Sequence, residues 1–252
     1  PTFRRYAEKI IRTLMAHVQH HPAIIGWQLD NETKHYDNIG RYMQEGFVRS
    51  LQEKYPDLRQ LNHDFGLDYW SNRIDRWQDF PPVENTINAS LACAFSRYQR
   101  QQVTEYLAWQ AAIVREYAQP HQFVTHNFDF EWRGYSYGVQ PRVDHFAAAQ
   151  ALDIAGVDIY HPSQAHLTGR EIAFGGAITR SLKPGQNYFV LETQAQGFAQ
   201  WTPFPGQLHL QAFSHIASGA AMVSYWHWHS IHNAFETYWK GLLSHDFSRN
   251  PT

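Results

Sequence analysis

With 252 residues, 43% of them hydrophobic and 17% charged, the chain is long enough to bury one sizeable core and has the composition of an ordinary globular domain. A formal net charge of −2 gives no electrostatic basis for binding nucleic acid or an anionic membrane, and no apolar run is long enough to span a bilayer. Cys93, the one cysteine, excludes an internal disulfide and a thiolate zinc cluster.

In chain order, residues 4 to about 20 have the spacing of an amphipathic helix, with Tyr6, Ile10, Leu14 and Val18 recurring every four positions. The helix leads into Ile24-Ile25-Gly26-Trp27-Gln28-Leu29-Asp30, an apolar run that stops at Asp30, Asn31 and Glu32. Parallel strands are covered on both faces, so they read as continuous apolar runs and turn polar where they leave the core. In (β/α)8 barrels the C-terminal exit is where chemistry sits. Residues 33 to about 94 are polar and irregular, with helical pieces around 37 to 54 and a break at Pro81-Pro82, and read as an elaborated loop beyond that strand. A long helix is predicted from Ser90 to Ala118, carried by Leu91, Phe95, Tyr98, Val103, Tyr106, Leu107, Ile113, Val114 and Tyr117 and closed before Pro120. Strands then recur at about 122 to 127, 153 to 159, 187 to 192 and 221 to 226, with helical segments between them. The third of these, Tyr188-Phe189-Val190-Leu191, ends on Glu192-Thr193-Gln194 and repeats the design of the first run.

Two strands that each end on a glutamate suit glycoside hydrolysis, in which one carboxylic acid protonates the leaving oxygen and one carboxylate attacks or activates water. Taken singly, a glutamate at a strand end is more often a solvated loop residue. Nine Trp, 14 Tyr and 16 Phe add ring faces that can pack on the C–H faces of sugars, although composition alone describes an aromatic core equally well. Other constellations compete. His227 and His229 at i and i+2, with His126, His161 and His166, could serve a barrel metallohydrolase, but 16 histidines cluster easily by chance and no HExxH occurs, so no metal is expected. Asp129 and Glu131 read as a solvated loop face. Neither a Walker A loop nor GxGxxG is present, and no cofactor is expected. In the aromatic run Tyr225-Trp226-His227-Trp228, alternation predicts half core and half pocket.

These motifs resemble glycoside hydrolase family 42, the β-galactosidases. His21 to Glu32 looks like the family's fourth barrel strand, and Leu191-Glu192-Thr193-Gln194 like its seventh. Val124-Thr125-His126-Asn127-Phe128 and Val157-Asp158-Ile159-Tyr160-His161-Pro162 are similar to the fifth and sixth strand ends. Ser224-Tyr225-Trp226-His227-Trp228, followed by Gly241 to Asp246, resembles the eighth. The resemblance implies an α/β fold, an incomplete (β/α)8 TIM barrel with strands 4 to 8 present. Residues 1–252 would then be the C-terminal five βα units of the catalytic domain, with an inserted region at about 33–94. It implies retaining hydrolysis of terminal β-D-galactose, with Glu32 as acid/base and Glu192 as nucleophile. Asn31, Tyr160, Trp201, Trp226 and Glu236 would bind the substrate, Tyr160 supplying a donor to the nucleophile. Asn31 and Glu32 are adjacent, so both reach one sugar only if the strand end is irregular. Trp239 stands where the family has a histidine, three positions after Glu236, and the segment from Glu192 to Trp201 is one residue longer than in comparable members. The cysteine zinc ligands that some members carry after the acid/base are missing here. The partners implied are a β-galactoside or related oligosaccharide and, for the full-length protein, a homo-oligomer that the resemblance makes a trimer. The expected location is the cytoplasm, with the qualification that the chain begins at Pro1 without a Met. A five-strand arc has two open edges, so this piece alone is expected to be poorly soluble, misassembled or inactive. Two alternatives stand beside this reading: a barrel hydrolase of another β-linked sugar, and a non-catalytic carbohydrate-binding barrel.

Overall fold

The computed structural model describes residues 2–130, 139–161, 167–196 and 202–249. Its helices are α1 (Thr2–Val18), α2 (Arg41–Lys54), α3 (Leu58–Asp64), α4 (Ala89–Arg115), α5 (His145–Ala149), α6 (Arg170–Leu182) and α7 (Gln207–Ala217). Its strands are β1 (Gly26–Gln28), β2 (Phe123–Asp129), β3 (Ile154–Asp158), β4 (Tyr188–Gln194) and β5 (Ala220–Trp226). The strands form one sheet in chain order, and every neighbouring pair is parallel. Parallel neighbours cannot be joined by a tight turn, so a helical crossover precedes each of β2 to β5. The result is an α/β half-barrel, and all five strands lie where the apolar runs predict them. No helix among the described residues is long and apolar enough to cross a membrane.

The chain divides into two compact units, one comprising Pro1–Thr33, Tyr106–Pro141 and His145–Thr252, the other Lys34–Glu105 with Arg142–Asp144. The first contains the sheet. Its centre is built from Val157, Ile159, Tyr188, Val190, Ala220 and Phe130. Each of the larger side chains contributes about 1.5–3 kcal/mol by leaving water. Two glycines permit the close packing. A Cβ on Gly156 of β3 would collide with Leu191 and with the His126 carbonyl, and one on Gly176 of α6 would collide with the Tyr188 hydroxyl. In the second unit, Phe47, Leu51, Leu61, Leu67, Leu91 and Phe95 form a separate core. Two helix starts there are capped by side chains: Asp57 Oδ1 accepts from Arg59 N at 2.9 Å ahead of α3, and Asn88 Oδ1 from Leu91 N at 2.9 Å ahead of α4.

Two local departures from the sequence reading stand out. The first strand pairs only over Gly26–Gln28, with Leu29 N still donating to the Thr125 carbonyl at 2.8 Å. Asp30 then turns to φ 46 and ends the ladder. Ile25 is 64% exposed, because β1 has a neighbour on one side only among the described residues. The apolar stripe of α1 is likewise exposed at Tyr6, Ile10 and Leu14, and Met15 is the helix's one buried residue. Periodicity marks a face that can be covered; it does not supply the cover.

His215 on α7 is fully buried, its ring nitrogens have no hydrogen-bond partner among the described residues, and its ring lies 5.4 Å from that of His161. Burial, then the nearby His161, lowers its pKa from 6.5 to about 3. As pH falls below about 6.5 the unfolded chain takes up a proton that the folded chain refuses until about pH 3. Stability is therefore lost across that window, by up to about 1.4 kcal/mol per pH unit. Thermal melts from about pH 7 to about pH 5 should show Tm falling more steeply in the wild type than in His215→Phe. Equal slopes would remove His215 from the account.

Candidate active site

The chain leaves β1 through a corner with two residues in the left-handed region, Asp30 at φ 46 and Glu32 at φ 43. Such backbone is uncommon for residues other than glycine and needs bonds to hold it. Asp30 Oδ1 accepts from Asn31 N at 2.9 Å, and Asp30 Oδ2 from Gln110 Nε2 at 3.1 Å. His126, wholly buried on β2, closes the corner from below. Its Nδ1 lies 2.6 Å from the Leu29 carbonyl, an acceptor only, so the hydrogen sits on Nδ1 and leaves Nε2 to accept from Thr33 N at 3.2 Å. Burial lowers the His126 pKa, which keeps this neutral tautomer in place. The strand end is therefore irregular, and both Asn31 Oδ1 and Glu32 N are bonded to the same side chain, that of Asn127.

Asn127, also on β2 and fully buried, is the hub. Its Oδ1 accepts from Gln28 Nε2 at 2.9 Å and from Glu32 N at 3.3 Å. Its Nδ2 donates to Asp158 Oδ2 at 2.7 Å and Asn31 Oδ1 at 2.9 Å, with Glu192 Oε1 at 3.4 Å. An amide has two such hydrogens, so the two shorter bonds take them and the third contact is marginal.

Asp158 ends β3 and pairs with Glu192 of β4, at a point where the register shifts between Val157 and Asp158. One oxygen from each of Glu32, Asp158 and Glu192 lies within 4.8 Å of the other two. The Tyr160 hydroxyl donates to Glu192 Oε2 at 2.7 Å. Burial raises the Glu192 pKa, the Tyr160 bond opposes this, and the charge of Glu236 adds to it. Burial and the charge of Glu192 also raise the pKa of Tyr160, which keeps its hydroxyl protonated and donating. Three carboxylates are a donor set for a hard cation. The N–H of Asn127 and the O–H of Tyr160 already point hydrogens at these oxygens and would compete with one.

The remaining predicted residues are less closely gathered. Trp226 ends β5 half-buried, paired in the ladder with Gln194, and its peptide bond to His227 is cis. Glu236 is exposed, in electrostatic reach of Glu192. Trp239 is buried, its ring 5.4 Å from that of Tyr160. Trp201, Glu131 and His166 lie outside the described residues. Among the other candidates, Asp129 Oδ2 accepts from Gln140 Nε2 at 3.0 Å. His161 is engaged by Glu171 Oε1 at 2.7 Å and Thr193 Oγ1 at 3.2 Å. The rings of His227 and His229 are 4.8 Å apart, yet Glu32, Asp158 and Glu192 are the group of three potential metal ligands that converges among the described residues. In the sequence, Asn127 and Asp158 stand out only as members of strand motifs. The available signal was a polar residue interrupting an apolar run, which costs free energy unless it is bonded.

The sequence profile of the family Glyco_hydro_42, described as β-galactosidase, matches residues 1–252. Among relatives, a β-galactosidase of Thermus thermophilus is 30% identical over 96% of this chain and 40% of its own length. The β-galactosidase BgaH of Haloferax lucentense is 29% identical over 98% of this chain and 39% of its own. In fold, the β-galactosidase of the psychrophilic Marinomonas ef1 superposes with a TM-score of 0.85 at 23% identity, covering 99% of this chain and 40% of that one. The chain thus spans about 40% of the length of the proteins it matches.

Proposed function

Because the chain belongs to the β-galactosidase family Glyco_hydro_42, we propose that it carries the catalytic glutamates of a retaining hydrolase that releases terminal β-D-galactose. The observation that carries this reading is that one carboxylate oxygen of Glu32 lies within 4.8 Å of one of Glu192, beyond β1 and near the C-terminal end of β4, an approach on the scale of the closer, retaining spacing. Retention needs carboxyl groups about 5–5.5 Å apart and inversion about 6.5–9.5 Å. In the first step a Glu192 oxygen attacks the anomeric carbon, the bond to the aglycone oxygen breaks, and Glu32 gives that oxygen its proton. In the second, water passes a proton to Glu32 and attacks the same carbon, and the ester to Glu192 breaks. Asn31, Trp201, Trp226 and Glu236 hold the sugar. Residues 1–252 are read as the last five βα units of the barrel, and a cytoplasmic, trimeric assembly belongs to the same proposal.

The test is trapping with a 2-deoxy-2-fluoro-β-galactoside that carries a good leaving group, followed by peptide mass spectrometry. One fluorogalactosyl unit on the Glu192 peptide supports the reading; turnover with no adduct, or an adduct on another carboxylate, ends it. Trp239, where the family has a histidine, favours one second reading, a hydrolase of another β-linked sugar. Comparing kcat/KM on β-galactosides, β-glucosides and β-fucosides separates the two.

Tyr160→Phe removes the 2.7 Å bond to Glu192. A hydrogen bond to a charged group is worth about 1.5–3 kcal/mol, so kcat should fall about 10- to 150-fold. The lost donor also raises the Glu192 pKa, so the acidic limb of kcat/KM should move to higher pH. An unmoved limb would argue that the hydroxyl does not act on Glu192.

A further inference from the structure

Building on the pairing of Glu32 with Glu192 proposed above, we infer that Asp158 works as an un-ionised carboxylic acid whose hydrogen is directed at Glu32, making it a positioning residue for the acid/base. Asp158 is 2% exposed. Its Oδ2 accepts from Asn127 Nδ2 at 2.7 Å, and no donor reaches its buried Oδ1 among the described residues. The groups that act on it are Glu32 from beyond β1, Asn127 from β2 and Glu192 from β4, two acids and an amide with no cation among them. Tyr160, beyond β3, gives its hydrogen to Glu192.

A buried carboxylate with two carboxyl neighbours and no cation sheds its charge by keeping its proton. Burial first, then Glu192 and Glu32, pushes the Asp158 pKa from 3.8 up to about 10, against the opposing pull of Asn127. With Oδ2 accepting from Asn127, the hydrogen belongs on Oδ1, the oxygen otherwise lacking a partner. A carboxyl group kept neutral by its surroundings can then act as a hydrogen-bond donor at neutral pH. Glu32 needs such a donor in alternation: it is a carboxylic acid before the aglycone leaves and a carboxylate afterwards. The Asp158 hydrogen stabilises the second form and turns one Glu32 oxygen inward, so that the other meets the substrate. Asp158 keeps its proton throughout; only the Glu32 proton passes to the aglycone and returns from water.

Two substitutions in the protein that carries this chain test the inference. Asp158→Asn can keep both bonds, its oxygen accepting from Asn127 and its NH2 donating to Glu32, and never ionises. It should lower kcat/KM by no more than about 10-fold, whereas Asp158→Ala, lacking the donor, should lower it by about 100-fold. Loss of a neutral donor moves the alkaline limb of kcat/KM to higher pH in Asp158→Ala; loss of a like charge would move it lower. Infrared difference spectra of wild type against Asp158→Asn at neutral pH should contain the carbonyl stretch of a protonated carboxyl group. Equal losses in the two variants, a downward limb, or no such band would overturn the inference. So would stabilisation by added Mg²⁺ or Ca²⁺ that disappears in Asp158→Asn, which would make the cluster a cation site. The infrared band does not depend on turnover, so it reports on Asp158 even if the protein proves not to be a glycosidase.

Discussion

Glu192→Ala is expected to lower kcat by about 10⁴-fold or more while leaving the fold intact. Removing a covalent nucleophile eliminates the two-step route, and knocking out the nucleophile of a comparable covalent enzyme costs about 10⁶-fold. Glu192 has no large structural debt to settle, since its side chain is half-buried and its bonds come from Tyr160 and Asn127. Tm should therefore stay within a few degrees of the wild type. The decisive measurement is rescue by azide. The small anion can occupy the space vacated by the carboxylate and form the C–N bond from the opposite face to the aglycone, giving an α-galactosyl azide. A β-configured product, or a variant that still turns over at near wild-type rate, would show that the nucleophile is elsewhere.

The second large effect is expected at Glu32. General acid–base catalysis contributes about 10²–10⁴-fold, so Glu32→Ala should lose that much on substrates whose aglycone needs protonation. Galactosides with a dinitrophenolate leaving group need no such help in the first step, and bond cleavage should proceed there at close to the wild-type rate. Azide should now give the β-configured product, because it attacks the glycosyl-enzyme in place of water, and the alkaline limb of the pH profile should disappear. A loss of the same size on good and poor leaving groups would assign Glu32 to binding or structure instead.

The half-barrel was legible because its strands are short apolar runs separated by helical periodicity, and both Glu32 and Glu192 were visible as acids that end such runs. What could not be read was where a run stops pairing. The early end of β1 depends on the left-handed turn at Asp30, held by His126 and Gln110 from far along the chain. Asp158 and Asn127 were hidden for a related reason. Within one sequence a lone polar residue in a strand is indistinguishable from a satisfied core residue, and the meeting of Asp158 with Glu192 depends on a register shift between β3 and β4. The exposed stripe of α1 is the opposite case, a strong pattern whose burial does not occur within the described residues.

The corner after β1 limits how this protein can evolve. Two non-glycine residues with positive φ within three positions store on the order of 2–6 kcal/mol, a sizeable share of the net stability of a typical domain. Glycine would relax either position, but at 32 it would delete the acid/base proposed above and at 30 the carboxylate that braces Asn31. Selection for durability and selection for turnover therefore pull this tripeptide in opposite directions. A lineage moving to a warmer habitat would have to accumulate its stabilising substitutions elsewhere and inherit the tense corner unchanged.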